Sequence, residues 1–195
     1  MSIITVVTED SRITIDCFRP PSTFQEVLVE PIVPQPAASL MPGDPIDVPA
    51  TGRFTKIGSD GRAVAPGTGV EHVAVVDNTT GLMWSIESLG NLDDADDGIT
   101  QEHCIERCRE LRLLDHDDWR LPTRVELAGL IDDSRHDPAI DTEFFPNVKP
   151  RWHWTSTAAA WSSASAWFVD FNSGGVYDLP RSYDGFALAV RRAGQ

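Results

Sequence analysis

Several features that would define a membrane protein or a nucleic-acid-binding protein are missing from this sequence. No apolar stretch approaches the roughly 20 residues needed to cross a bilayer. The N-terminal run MSIITVVTEDSR has no basic start and only a short apolar core, so we do not expect a secretory signal. Lys and Arg number 16 against 30 Asp and Glu, giving a net charge of −14. Phosphate contacts need clustered cations, so we expect neither a nucleic-acid partner nor insertion into an anionic membrane.

Cysteine is scarce as well, with three in the chain. Cys17 lies far from Cys104 and Cys108, and an odd count is poor material for a disulfide framework. This composition favours synthesis in a reducing cytoplasm. Cys104 and Cys108 are four residues apart on a predicted helix, with His103 beside them, but three ligands of this kind are too few for a metal centre. We predict no metal and no cofactor.

The aromatic and proline residues divide the chain near residue 50. All six Trp and both Tyr follow residue 82, whereas eight of the 14 Pro lie between Pro20 and Pro49. We therefore predict an N-terminal hairpin and proline-rich docking arm over residues 1–50, and one domain over residues 51–195. Within the arm, Ile3–Val7 and Arg12–Asp16 alternate as the strands of a β-hairpin. The extended, proline-spaced remainder suits lying along another protein of an assembly.

The pattern after residue 50 predicts an α+β domain. Thr100 is placed to cap a helix that runs to about Leu114, and Thr123 to cap a second helix that ends near Asp132. Short apolar runs predict strands on both sides of these helices: residues 53–57, 73–76, 82–84, 152–156, 166–171, 175–178 and 187–191. The run from Asn172 to Gly175 predicts a hairpin turn.

The run from Asp118 to Leu127 is the most specific local signal. Thr123 with Glu126 three residues later is a capping box, in which each side chain accepts a hydrogen bond from a backbone N–H. Pro122 biases Leu121 towards extended backbone. Because the run contains neither a nucleophile nor a base, we assign Trp119, Arg120, Pro122, Thr123 and Glu126 structural roles.

Taken together, these pieces resemble the Lcl C-terminal-like domain family over residues 51–192. The resemblance rests on Asp77–Trp84, Cys108 with Leu111, Asp118–Thr123, Glu126–Leu127, Leu130–Asp132, Phe145–Pro146, Trp154–Thr157, Trp167–Phe171 and Val190–Arg191. It implies a C-type-lectin-like fold: two helices and short mixed or antiparallel strands. Family members commonly carry a cysteine just before the final Val-Arg, which the resemblance implies is the partner of the helix cysteine, but this chain has Ala189 there. The disulfide expected of an exported relative is therefore missing.

An enzyme is the less favoured interpretation. The run Trp119–Thr123 is also similar to relatives of formylglycine-generating enzyme, but that oxidase chemistry needs cysteines late in the domain and none follows Cys108. No nucleophile elbow, zinc-protease motif or phosphate loop is present. The acidic run from Asp93 to Asp97 departs from a calcium loop, because the twelfth ligand position falls on Cys104. We interpret that run as a solvated loop.

The predicted ligand surface lies in the loops that follow Trp154. Trp and Tyr give rigid contact area at low entropic cost, and Ser and Asp supply adaptable hydrogen bonds. The candidate residues are Trp161, Ser162, Ser163, Ser165, Tyr177, Arg181, Tyr183 and Asp184. The alternative is that Trp161 and Tyr183 only pack a long loop. We assign Trp119, Trp154 and Trp167 to the core.

These observations favour a non-enzymatic binding or assembly module. The hypothesis is a phage virion structural protein, in the tail, fibre or capsid surface, whose residues 1–50 dock on other virion proteins and whose late loops bind a host-surface glycan or protein. We expect it to be oligomeric and to be made in a host cytoplasm. The alternatives are a bacterial surface or secreted adhesin that binds glycan, and an oxidase-like enzyme.

Overall fold

The computed structural model describes residues 52–65 and 68–194, together with the backbone of two N-terminal strands. The chain divides into two compact units, Met1–Asp44 and Pro45–Gln195. In the first unit, strands β1 (Ile3–Thr8) and β2 (Ser11–Asp16) pair antiparallel, so the predicted hairpin is present. The predicted proline-rich arm lies outside the described residues.

The second unit is built mainly from short antiparallel strands. Its elements are β3 (Phe54–Ile57), β4 (Ala74–Asp77), β5 (Leu82–Ser85), helix α1 (Gln101–Glu110), helix α2 (Arg124–Ala128), β6 (Trp152–Ala159), β7 (Ser162–Asp170), β8 (Gly175–Pro180) and β9 (Val190–Arg192). Strands β3-β4-β5-β9 form a four-stranded sheet in that order, and β6-β7-β8 form a three-stranded sheet. All pairings within both sheets are antiparallel.

The predicted fold class is wrong. We expected an α+β, C-type-lectin-like domain with two substantial helices, but the domain is mostly β and its two helices are short. Thr100 does cap α1, yet the backbone leaves the helix at Leu111, where φ is −60° and ψ is 132°. A 3₁₀ turn follows at Leu113–Asp115. Helix α2 has five residues and gives way to Gly129 instead of continuing to Asp132.

A buried segment near the C-terminus joins the two sheets. Gly185 to Val190 is almost fully buried and exchanges backbone hydrogen bonds with several elements along its length. Phe186 pairs with β6 through the N–H of Phe186 to the carbonyl of Trp152 at 2.8 Å, and Ala187 pairs with Leu89 at 2.8 Å in both directions. Val190 continues this path as the first residue of β9. Backbone groups buried at this depth are normally paired, and most of those in this segment bond to the elements on either side.

Two apolar clusters form the core of the domain. One contains Trp84, Leu127, Phe145, Phe171 and Leu188, and the other contains Cys104, Cys108, Trp119, Trp154 and Ala189. The two clusters are continuous with the joining segment, since Leu188 belongs to the first and Ala189 to the second. Among the described residues, no helix has the length and apolar character that a bilayer crossing requires.

Candidate functional site

A cleft of about 1020 Å³ opens where four separate segments meet. These segments are the loop that leads into α1, the entry to β6, the turn after β7 and the start of the buried joining segment. The lining is mostly polar and includes four carboxylates: Asn91, Asp96, Asp97, Gly98, Ile99, Thr100, His103, Pro150, Arg151, Trp152, Asp170, Asn172, Asp184, Gly185 and Phe186. Small-ligand sites are usually concave and mostly apolar, with a few placed polar groups, so this more polar cleft with an aromatic wall suits a polar ligand.

Two glycines allow the back of the cleft to close tightly. The backbones of Ile99 and Gly185 exchange hydrogen bonds of 2.7 and 2.9 Å. A Cβ on Gly98 would lie 2.7 Å from the nitrogen of Gly185, so no side chain fits there without separating the segments. This close approach fixes the position of Asp97 relative to Asp184, because each is the immediate neighbour of one of these glycines.

The aromatic wall of the cleft belongs to a row of rings on one face of the three-stranded sheet. Trp152 lies opposite Asp170 in the strand register, and its ring centroid is 5.4 Å from that of Phe168. Phe168 in turn lies 5.9 Å from Tyr177 on β8. Trp152 is 42% exposed and Tyr177 is 57% exposed, although Phe168 between them is buried. The row therefore presents two accessible rings, one of them inside the cleft.

A hydrogen-bond donor without a protein partner lies behind the same wall. Trp154 is 1% exposed, and its indole N–H has no acceptor among the described residues. A Cβ on Gly185 would lie 2.9 Å from this nitrogen and 3.1 Å from the carbonyl oxygen of Trp152. The absence of a side chain on Gly185 therefore lets this segment lie directly against the buried indole. Buried donors normally have an acceptor, so this indole N–H is an exception in the core behind the cleft.

The four carboxylates of the cleft are not equivalent. Asp96 forms an ion pair with Lys149, and the hydrogen bond from Lys149 lowers the pKa of Asp96. Asp170 is fixed by its own turn, where it accepts hydrogen bonds from the backbone of Asn172 and the hydroxyl of Ser173. Asp97 and Asp184 are exposed and form no ion pair within the described part of the chain. These last two are the carboxylates free to meet a ligand.

A buried histidine, His153, fixes the start of β6 through two hydrogen bonds. The carbonyl of Arg151 can only accept, so His153 donates its Nδ1–H to that oxygen at 2.9 Å. Nε2 of His153 then accepts from the Ser88 hydroxyl at 2.7 Å, and Ser88 Oγ accepts from the backbone of Lys149 at 2.8 Å. Complete burial lowers the pKa of His153 to about 4. A neutral imidazole therefore positions the segment that carries Arg151 and Trp152.

The structure brings only some of the predicted ligand residues to this region. Asp184 lines the cleft, and Tyr177 belongs to the aromatic row. Tyr183 is 51% exposed beside Asp184, but it does not line the cleft. Tyr177 is in a strand, as the sequence predicted.

Trp161 lies on the other side of the sheet. Its ring packs edge-on against Trp167 at 5.5 Å, and the guanidinium of Arg124 lies 4.1 Å above Trp167. Trp167 and Phe168 are consecutive in β7, so their side chains point to opposite faces. Two predictions are wrong here. Trp167 is half-buried instead of belonging to the core, and the serines at 162, 163 and 165 lie in strand β7 instead of a loop.

Arg181 is held by the structure of the domain. Its Nη1 donates to the side-chain oxygen of Gln101 at 2.9 Å, and its backbone carbonyl accepts from the backbone N–H of Gln101 at 3.1 Å. Gln101 is 1% exposed and donates to the carbonyl of Thr155 at 2.7 Å. Arg181 thus ties the start of α1 to β6 and is not directed into the cleft.

Sequence reasoning missed the residues that carry most of the cleft. Trp152, Arg151, Asp170, Asn172 and Asp97 were not candidates. The one local signal was the alternation in Trp152-His153-Trp154, which places both indoles on the same face of a strand. That alternation does not tell which indole is covered, and here Trp154 is buried whereas Trp152 is not.

The run from Trp119 to Glu126 lies in the core and at the start of α2, away from the cleft lining. Trp119 is 2% exposed, and its indole N–H donates to the carbonyl of Leu113 at 3.1 Å. Thr123 and Glu126 form the capping box, with the Glu126 carboxylate accepting from the Thr123 N–H at 2.7 Å. The sequence profile of the Lcl C-terminal domain matches residues 73–191, which contain this run and the whole cleft. The chain belongs to the Lcl C-terminal domain family.

Membership of this family points to a module of a surface or secreted protein. No curated protein matches the chain significantly.

The two cysteines of this Lcl C-terminal domain are free and completely buried. Burial raises the pKa of Cys104, and it raises the pKa of Cys108 to about 12. Ala189 belongs to the same apolar cluster, at the position where the family resemblance implies a cysteine. Protonated thiols of this kind pack as small apolar groups and are poor nucleophiles. Within the described ranges, no three His, Cys, Asp or Glu side chains are grouped to hold a metal ion.

Proposed function

We propose that this Lcl C-terminal domain is a non-enzymatic binding module that holds a glycan in the cleft. The observation that carries the proposal is the exposed ring of Trp152 in the wall of a polar cleft. A sugar ring has an apolar C–H face and a rim of hydroxyl groups. An indole beside carboxylates and amides offers a partner to each of these, because the ring covers the C–H face and the polar groups bond to the rim.

The polar groups around Trp152 suit a ligand that both donates and accepts hydrogen bonds. Asp97 and Asp184 accept from hydroxyl groups, and Asn91 and Asn172 can do either. Hydroxyl groups are donors and acceptors at once, so a polyol can satisfy this mixed set.

We also propose that the module has no catalytic activity of its own. An oxidase-like reaction would need an accessible thiolate, but burial keeps both described thiols protonated. His153 is enclosed, and both of its ring nitrogens already form hydrogen bonds within the protein. A group in that position supports the cleft wall and does not exchange protons with a ligand.

The setting we propose is the surface of a phage particle, made in a host cytoplasm, with residues 1–50 docking on other virion proteins and the domain presented to a host-surface glycan. The support for this setting is the proline spacing of residues 20–49 and the absence of a cysteine at position 189. A bacterial surface or secreted adhesin is the second candidate, favoured by the family itself. The first setting predicts an oligomer or a co-purifying virion partner, which sedimentation of the full chain would reveal. A monomer with no such partner would favour the second.

The cleft is tested by comparing two exposed tryptophans. A glycan array identifies binding saccharides, and calorimetry then gives affinities for Trp152→Ala and the matched control Trp161→Ala. Trp152→Ala should weaken binding at least about tenfold through lost stacking area, whereas Trp161→Ala, on the opposite face, should leave affinity unchanged. If Trp161→Ala abolishes binding and Trp152→Ala does not, the late-loop site predicted from the sequence is correct and the cleft is not the site.

A further inference from the structure

The charge lining the cleft is strongly unbalanced. Lys149 neutralises Asp96 through their ion pair, so Asp97, Asp170 and Asp184 remain to face the cleft. Among the described residues that line the cleft, Arg151 is the one Arg or Lys, and His103 is the one histidine. The rest of the chain does not compensate, because the whole chain carries a net charge of −14. A concave site lined by one sign of charge concentrates ligands of the opposite sign and repels ligands of its own.

The same cleft holds a ring suited to a cation. Trp152 presents an accessible indole directly opposite Asp170 in the strand register. An ammonium group that lies over an indole is attracted by its π-electrons, and a neighbouring carboxylate strengthens that attraction. Asp97 and Asp184 also line the cleft, on two segments that the Ile99–Gly185 backbone pair joins. An amine on the ligand would therefore find an aromatic face and carboxylates within one site.

We infer that the cleft selects glycans that carry free, protonated amino groups and rejects glycans that carry carboxylate or sulfate groups. This inference rests on the proposed function, since it names the class of glycan that the same cleft would take. A neutral sugar of the same shape binds through stacking and hydroxyl contacts alone. An amino sugar adds charge-assisted hydrogen bonds, which are roughly twice as strong as neutral ones.

The test compares three soluble probes of equal length in calorimetry with the full chain at mildly acidic pH, where the sugar amine is protonated. They are a glucosamine oligomer, its fully N-acetylated counterpart, and an oligomer alternating N-acetylglucosamine with glucuronate. The glucosamine oligomer should bind about tenfold more tightly than the acetylated one at low salt, and this ratio should fall several-fold at about 0.5 M salt. Binding of the glucuronate oligomer should be the weakest of the three.

Paired variants separate the local effect from overall charge. Asp97→Asn combined with Asp184→Asn should reduce the preference for the amine to about twofold, since Asn keeps the shape but not the charge. Asp117→Asn combined with Asp133→Asn removes the same number of charges at exposed residues outside the cleft lining and should leave the preference intact.

The outcomes distinguish this inference from the proposed function beneath it. Equal binding of the amine and acetylated oligomers, still sensitive to Trp152→Ala, overturns the charge selection and leaves the glycan site standing. Tighter binding of the glucuronate oligomer overturns it as well. Failure of all three probes and of the glycan array removes the proposed function and this inference together.

Discussion

Arg120 and Glu126 form a bidentate ion pair, with Nη1 of Arg120 2.9 Å from Oε2 of Glu126 and Nη2 2.7 Å from Oε1. The same carboxylate accepts from the backbone N–H of Thr123 and closes the capping box of α2. One side chain thus completes the helix start and ties it to the extended residue at position 120. Arg120 also pairs through its backbone with Val190, so the contact joins α2 to β9.

Removing the charge of Glu126 should weaken the domain measurably. We expect Glu126→Gln to lower the free energy of unfolding by roughly 1–2 kcal/mol at neutral pH, because the partly exposed ion pair is lost although the amide can still cap the helix. The matched control is Glu143→Gln, which removes the exposed pair with Lys56 and should cost less than about 0.5 kcal/mol. Urea unfolding monitored by tryptophan fluorescence gives both values. Equal losses would mean that the bidentate geometry adds nothing.

The effect of Glu126 should also depend on pH. The hydrogen bond from Arg120 lowers the pKa of Glu126 from 4.5 to about 2. A carboxyl group whose pKa is depressed in the folded state stabilises the protein above its unfolded pKa, and this contribution is lost as the pH falls through the folded value. The stability difference between the wild type and Glu126→Gln should therefore be constant above about pH 5 and shrink towards about pH 2. A difference that stays constant down to pH 2 would contradict the pKa shift.

His153 should produce a second, separate acid transition. Burial lowers its pKa from 6.5 to about 4, so between these values the unfolded chain takes up a proton that the folded chain does not. Stability is full above about pH 6.5 and falls as the pH decreases to about 4, by roughly 3 kcal/mol. The imidazole resonances should show His153 still neutral at about pH 5. Titration of a buried His153 near its ordinary pKa would contradict the hydrogen-bonded arrangement with Ser88 and Arg151.

The strands were more predictable than the helices, for a physical reason. Alternating apolar residues in the strand segments pack on one side of a sheet whatever the surrounding fold, so their pattern is local. The positions of the helix ends, in contrast, depend on tertiary packing and not on the local residue pattern. Leu111, Leu113 and Leu114 continue the helical spacing of α1, yet they pack against the core from irregular backbone, with Leu114 at a φ of 55°. The sequence predicted both helices to be longer than they are, and this made the domain look α+β. In the structure the residues beyond each helix end pack in irregular backbone, so the domain is mostly β.

The cleft was the least predictable feature, since its lining comes from segments far apart in sequence. Asp97 and Asp184 line the same cleft on two segments whose backbones approach closely because position 98 is a glycine. The predicted candidates followed the aromatic residues of one sequence stretch, and a β-strand sends consecutive residues of such a stretch to opposite faces. Tyr177 and Trp161 were grouped for this reason, although they lie on different sides of the sheet.

The glycines at the back of the cleft give a steric prediction. We expect Gly98→Ala to lower the free energy of unfolding by roughly 2–3 kcal/mol, because its Cβ would lie 2.7 Å from the backbone nitrogen of Gly185. Gly52→Ala is the matched control, since no atom of the described residues lies within 4 Å of a Cβ there, and it should change stability by less than about 0.5 kcal/mol. Thermal unfolding of both variants checks this. Similar melting temperatures would show that the two segments can separate at little cost.

Arg181 and Asp184 are close in sequence, but we expect Arg181 to stabilise the fold and Asp184 to bind the ligand. Arg181→Met should lower the free energy of unfolding by roughly 1–2 kcal/mol, because the buried side-chain oxygen of Gln101 loses its donor. Its affinity for a saccharide that binds the wild type should change by less than about twofold. Asp184→Asn should do the reverse, with stability unchanged and affinity altered, since this exposed carboxylate lines the cleft. Calorimetric titration beside urea unfolding measures both quantities for each variant. Weaker binding by Arg181→Met at unchanged stability would show that Arg181 contacts the ligand, as the sequence predicted.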